Sequence, residues 1–237
     1  MFKAQYSNIQ KPPLGAQLDR THPLARNLIG LWIFNESVNS RRITDLYKGN
    51  VGLLQPDTSW AIQNGKAGAR FIDTTGFYGV AGQNNLWNGS FSDGWTMIWW
   101  VFPLDTIGWP FGLGSVGGTD QALHGDLGDT SLNFNLYGDD HTITIPANLA
   151  TLNRVCMVAL GQTRGALKFV YVDGRLAGTV QAGGIFNPNG VWAFGRWAVD
   201  QGFAWNGILY YASVYNRALT ESEIQWLYRE PYTMISP

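Results

Sequence analysis

Residues 169–180, FVYVDGRLAGTV, decide the fold. Two runs rich in β-branched and aromatic residues flank Asp173-Gly174, a dipeptide that accepts the positive φ needed at both central positions of a type I′ turn. The twist of that turn matches the twist of the strands it joins, so a β-hairpin is expected here. Further along, residues 214–231, VYNRALTESEIQWLYREP, carry a helical signal marked at both ends. Thr220 is placed to cap the helix and Glu223, three residues on, to reach back. Ile224, Leu227 and Tyr228 form one apolar face before Pro231 stops the turn. This helix, spanning about residues 220–229, is expected to be short and one of very few.

Working outward, the remaining pattern is one of strands. Residues 131–138, SLNFNLYG, alternate strictly, with Leu132, Phe134 and Leu136 on one face and Ser131, Asn133 and Asn135 on the other. A half-buried antiparallel strand requires this. Residues 96–102, TMIWWVF, are apolar on both faces and lie between Gly94 and Pro103, as befits a central strand covered on both sides. Trp32, Trp95, Trp99 and Trp100 are expected in the core. Gly residues, 29 in all, are spread throughout as turn markers. Strands separated by such turns, with no alternating helices, point to an all-β antiparallel two-sheet sandwich.

Composition bounds the function. Of 237 residues, 45% are hydrophobic and only 14% charged, which excludes a disordered chain and leaves much surface to Gly, Asn, Ser, Thr and aromatics. The net charge is -1 with Lys and Arg scattered singly, so there is no electrostatic footprint for nucleic acid or anionic lipid. The single Cys156, in the apolar run RVCMVAL, is expected to be a buried small hydrophobe and can form no intrachain disulfide. The run WTMIWWVFPL is too short to span a bilayer as a helix, and MFKAQYSNIQKPPLGAQ lacks the apolar core of a signal peptide. Synthesis and folding in a cytoplasm are expected.

Five stretches together resemble the concanavalin A-like, laminin-G-like jelly roll. They are HPLARNLIGLWIFNES, SWAIQNGKAGARF, WTMIWWVFPL, ALKFVYVDGRLAG and FAWNGILYYASVYNRALTESEIQWLY. The resemblance covers residues 22–232, and Tyr215-Asn216-Arg217-Ala218-Leu219 before an acidic helix is its most specific part. It implies a jelly-roll domain over those residues; residues 1–21, with no hydrophobic period and with Pro12-Pro13, are expected to form an extended N-terminal arm, and residues 233–237 a tail. With KPPLGAQ, HPLA and REPYTMISP, the chain is further similar to jelly-roll proteins encoded among virion genes of tailed bacteriophages. That similarity implies a non-enzymatic virion structural protein, a capsid decoration or another accessory component. Its partners would be the major capsid protein, other virion proteins and further copies of itself. The arm, with Phe2, Tyr6, Ile9, Pro12, Pro13 and Leu14, would be the anchor.

The jelly roll hosts glucanases, lectins and adhesive modules alike, so the site must decide. Retaining glucanases need two carboxylates about 5 Å apart. The four Glu are Glu36, alone near the first strand, and Glu221, Glu223 and Glu230 in or after the helix. Asp139 and Asp140 are adjacent, so extended backbone sends them to opposite faces. His22, His124 and His141 lie in no nucleophile motif, and no Cys/His set has zinc spacing. Calcium is the one cofactor for which ligands are suggested, by Asp120, Asp126 and Asp129 in DQALHGDLGD. Against it, Tyr210 and Tyr211 stand in GILYYA where many relatives carry two acidic residues. Trp87, Trp109, Trp197 and Trp205 fall in expected loops or at their edges. There they could stack on a glycan or anchor a protein interface. A carbohydrate-binding, lectin-like adhesion module is therefore the alternative to the virion reading, and a glycoside hydrolase comes third.

Overall fold

A computed structural model describes residues 11–37, 39–54, 58–63, 65–72, 91–114, 119–188, 192–195 and 204–236. Its first strands are β1 (Gln17–Leu18), β2 (Leu28–Trp32), β3 (Arg42–Thr44), β4 (Val51–Leu53), β5 (Ser59–Gln63) and β6 (Lys66–Phe71). Then come β7 (Gly94–Pro103), β8 (Phe111–Leu113), β9 (His124–Leu127), β10 (Ser131–Asn135), β11 (Asp140–Thr144) and β12 (Cys156–Thr163). The last are β13 (Leu167–Val172), β14 (Arg175–Gln181), β15 (Trp192–Phe194), β16 (Gly207–Tyr215) and β17 (Ile235–Ser236), with α1 (Glu221–Arg229) between β16 and β17.

One large sheet runs β14-β13-β12-β7-β16-β6-β5, with β2 pairing the same edge of β16 as β6. A second layer is built from β11-β10-β9 and the pairs β15-β8 and β3-β4. Between the layers lies a core containing Trp32, Trp95, Trp99, Phe111, Phe134, Val170 and Trp192. On the other side of the large sheet, Ile98, Trp100, Met157 and Tyr215 pack with Ile224 and Leu227 of α1. This is an antiparallel sandwich whose large sheet is covered twice.

The two stretches that signalled the fold meet in space. Asp173 and Gly174 have φ of 53° and 74°, and Val172 pairs directly with Arg175. The turn packs on the helix, for a Cβ added at Gly174 would lie 3.2 Å from the Tyr228 ring. Tyr228 also stacks on Trp100, with ring centroids 5.9 Å apart. Every residue of β7 is buried, as the two-sided apolar run requires of a strand between β12 and β16. Tyr210 and Tyr211 are consecutive yet both buried on the α1 side, because the β16–β7 register shifts between Leu209 and Tyr211. Such a bulge turns two neighbours to one face.

The capping box of α1 is complete. The Glu223 N–H donates to Thr220 Oγ1 at 3.3 Å, and the Thr220 N–H donates to Glu223 Oε2 at 2.9 Å. Arg217 holds the same carboxylate through two bonds of 2.8 Å. Thr220→Ala is expected to lower stability by about 1 kcal/mol in urea unfolding, because one orphan N–H of the helix start loses its acceptor. An unchanged midpoint would show that the cap contributes nothing.

Where the structure describes the expected arm and tail, they pair with each other and with the domain. Strand β1 lies within residues 1–21 and pairs with β17, and the Asp19 N–H donates to the Met234 carbonyl at 2.8 Å. Asn35 Nδ2 donates to the carbonyls of Pro12 and Pro13 at 2.9 and 3.1 Å, while Leu14 is exposed. Lys11 Nζ donates to the carbonyls of Ile33 and Phe34 at 2.6 and 2.8 Å. Burial drives its pKa down to about 7, with Glu36 only partly opposing. Residues 11–21 are thus held by their own domain, since backbone carbonyls around Pro12-Pro13 find donors there. Phe2, Tyr6 and Ile9 lie outside the described residues.

Candidate functional site: a polar sheet face

The layer β9-β10-β11 carries an ordered array of exposed and half-buried polar side chains. Asn133 stands opposite Asp126 and Thr142, and Asn135 opposite His124 and Asp140. Alternation buries Leu127, Leu132, Phe134 and Ile143 beneath the sheet and turns the intervening residues outward. On the outer face Thr142 Oγ1 donates to Asn133 Oδ1 at 2.8 Å, and Asn133 Nδ2 donates to Asp126 Oδ2 at 3.0 Å. Asp126 Oδ1 accepts the Gly108 N–H at 2.8 Å, which ties the loop before β8 to the same row. The row therefore fixes the orientation of its own amide.

A second row, His124, Asn135 and Asp140, lies beside the first and ends at Tyr137. That tyrosine is exposed at φ 56° in the turn between β10 and β11, its ring centroid 6.3 Å from that of His124. Burial pushes the His124 pKa below the usual imidazole range, with Asp140 and Asp126 pulling against it. Near neutral pH the imidazole is thus uncharged and can both donate and accept. Carboxylate, amide, hydroxyl and imidazole in adjacent rows, with an aromatic ring at one end, can bond the hydroxyls of a sugar while the ring packs on its apolar face.

Two supports hold this face from below. Lys168 on β13 reaches across the sandwich, its Nζ donating to the Asp139 carbonyl at 2.5 Å and lying 3.2 Å from Asp139 Oδ2 and 3.0 Å from His141 Nδ1. Both Lys168 and Asp139 are buried, and Asp139 Oδ1 accepts the Gly183 N–H at 3.0 Å. The other support is Trp109, packed edge-to-face on Trp99 at 4.9 Å. It sits directly under Gly125, where φ is +150° and an added Cβ would fall 2.4 Å from the indole nitrogen. Only glycine fits between the indole and the ladder.

The expected site residues are distributed differently. Trp109 and Trp205 are fully buried rather than exposed; Trp205 packs on Phe71 at 6.0 Å. Their loop or loop-edge positions do not keep them in solvent, because each indole buries its apolar area between the layers. Trp87 and Trp197 lie outside the described residues. Asp120, Asp126 and Asp129 are not brought together. Asp126 belongs to the polar row, Asp129 Oδ1 accepts the Leu152 N–H at 2.9 Å, and Asp120 lies against Gly184. No group of three His, Cys, Asp or Glu side chains able to hold a metal occurs among the described residues. Asp139, in the bend before β11, is buried, whereas Asp140, the first residue of β11, is exposed. Tyr137 and the polar rows were missed, although the outward half of SLNFNLYG was their signal.

No protein-family model and no curated protein sequence matches the chain. Solved structures do. The binding domain of Paraclostridial mosquitocidal protein 1 superposes with a TM-score of 0.66 at 16% identity, over 89% of this chain and 53% of that one. Domain 4 of AbnA, a GH43 extracellular arabinanase from Geobacillus stearothermophilus, in complex with arabinotriose, gives 0.60 at 16% identity, over 85% and 98%. Trypanosoma rangeli sialidase in complex with 2,3-difluorosialic acid gives 0.60 at 18% identity, over 88% and 34%. The chain thus spans about half of the first protein and a third of the sialidase, but nearly all of the arabinanase domain. These likenesses place it among antiparallel β-sandwich domains.

Proposed function

We propose that the chain is a non-enzymatic carbohydrate-binding module that takes a neutral glycan on the face of β9-β10-β11. The observation that carries this reading is the pre-oriented row Asp126, Asn133 and Thr142 beside the exposed Tyr137 ring. The appearance of the same architecture in an arabinanase domain bound to arabinotriose supports it. A hydrolase is disfavoured because Asp139 is committed to Lys168 and Gly183 and is buried, whereas Asp140 is exposed. The virion reading rests on the sequence resemblance, and it gains no support from the sandwich neighbours. Pro12 and Pro13 of its anchor are held by the domain itself.

A broad glycan array followed by calorimetric titration of the best binder tests the proposal. Asn133→Ala and Tyr137→Ala are each expected to weaken binding about tenfold, the loss of one oriented polar contact or one stacking ring, while leaving the circular dichroism spectrum unchanged. No reducing ends should be released. Silence across the array, or affinity indifferent to both substitutions, would overturn the reading.

A further inference from the structure

On the α1 side of the large sheet a cleft of about 580 Å³ opens between residues 20–26 and the start of the helix. Three guanidinium groups, Arg20, Arg26 and Arg217, line it against one carboxylate, Glu223. In a chain of net charge -1 this is a local excess of positive charge.

The arginines are not equivalent. Arg217 is committed to the protein, with two bonds of 2.8 Å to Glu223 and one of 3.1 Å from Nε to the Arg26 carbonyl. Arg20 lies over the Tyr47 ring at 4.8 Å and donates to the Tyr47 carbonyl, which leaves part of its fork unused. Arg26 is exposed, and its guanidinium has no hydrogen bond or ion pair among the described residues. The nearby Asp19 carboxylate accepts from the Thr21 N–H and hydroxyl through Oδ1, at 2.8 and 2.7 Å. Arg26 thus brings to the cleft a guanidinium with no partner among the described residues.

One ring, that of His22, lines the cleft, and Trp226 of α1 packs against it. His22 Nδ1 accepts the Leu24 N–H at 3.2 Å, which places the ring proton on Nε2, 3.4 Å from Thr233 Oγ1. The fixed ring stands edge-on to Trp226 at 5.1 Å, and Trp226 is 38% exposed. Guanidinium forks recognise planar carboxylates bidentately, and an aromatic ring beside them offers a surface for a sugar ring. We infer that this cleft is a second binding site, for a sugar ring bearing a carboxylate, held by Arg26 and Arg20 and packed against the His22 ring, which Trp226 holds in place. The site shares no residue with the polar face and does not depend on the reading given to that face.

The test is titration of the full chain with galacturonate, glucose and inorganic phosphate at low and at physiological salt. Galacturonate is expected to bind at least tenfold more tightly than glucose, more weakly as salt rises, and at least tenfold more weakly to Arg26→Ala, a surface change that leaves the fold intact. Trp226→Ala should weaken galacturonate while leaving phosphate unaffected. Asn133→Ala should leave galacturonate binding untouched, so failure here and failure at the polar face are separable. Equal binding of galacturonate and glucose, or indifference to Arg26→Ala, would overturn the inference. So would phosphate binding as tightly as galacturonate with no effect of Trp226→Ala.

Discussion

Trp109→Ala is expected to lower the unfolding free energy by about 3–5 kcal/mol, as large-to-small changes of a fully enclosed aromatic do. The indole is completely buried against Trp99 and roofed by Gly125, whose backbone is too close to collapse into the space left behind. Guanidinium chloride unfolding at pH 7 measures the loss. A change below about 1 kcal/mol would mean that Trp109 stands in solvent. The affected region lies directly under the polar rows, so the variant should also show faster amide exchange in β9 than in β7.

Lys168→Met is expected to be of similar size, about 3–5 kcal/mol, because it leaves the Asp139 carboxylate buried without its cation. The Gly183 N–H and the half-buried His141 then remain beside the charge. The double change Lys168→Met/Asp139→Leu should recover much of the loss, since two apolar groups of similar volume need no compensation. The pH dependence separates the charge effect from lost packing. Burial alone would raise the Asp139 pKa, but the Gly183 N–H and the Lys168 ammonium hold it below the usual carboxylate range. In the parent chain that contribution is present above about pH 4 and disappears as the pH falls through the lowered value. In Lys168→Met the carboxyl titrates higher, so the gap between the two proteins should narrow as acid is added. A gap independent of pH would assign the loss to packing.

The parts of the fold legible in the sequence are those specified by local chemistry. Asp173-Gly174 accepts φ values that few other dipeptides do, and Thr220 with Glu223 satisfies backbone groups within four residues. The two-sided apolar run of β7 reports its central position directly. Exposure of loop aromatics is a different kind of quantity. Nothing within DTIGWP reveals that Trp109 turns under a sheet formed by residues 124–144, and nothing in KPPLG reveals Asn35 waiting for its carbonyls. The polar face was half legible, because alternation that buries Leu132 and Phe134 must expose Asn133 and Asn135. Its cross-strand partners, Asp126 and Thr142, depend on register, and so do the arginines drawn around the cleft from residues 20, 26 and 217.

The burial of the indoles also determines what light can report. Trp32, Trp95, Trp99, Trp100, Trp109, Trp192 and Trp205 are all enclosed, whereas Trp226 stands 38% exposed against the His22 ring of the arginine cleft. Among the described indoles, emission should therefore come mainly from short-wavelength fluorophores that shift only when the sandwich opens, with the half-buried Trp60 and the exposed Trp226 at the red edge. The rows beside Tyr137 include no indole, so the difference spectrum between the parent chain and Trp226→Phe isolates the indole beside the cleft and should stay still while a sugar fills the polar face.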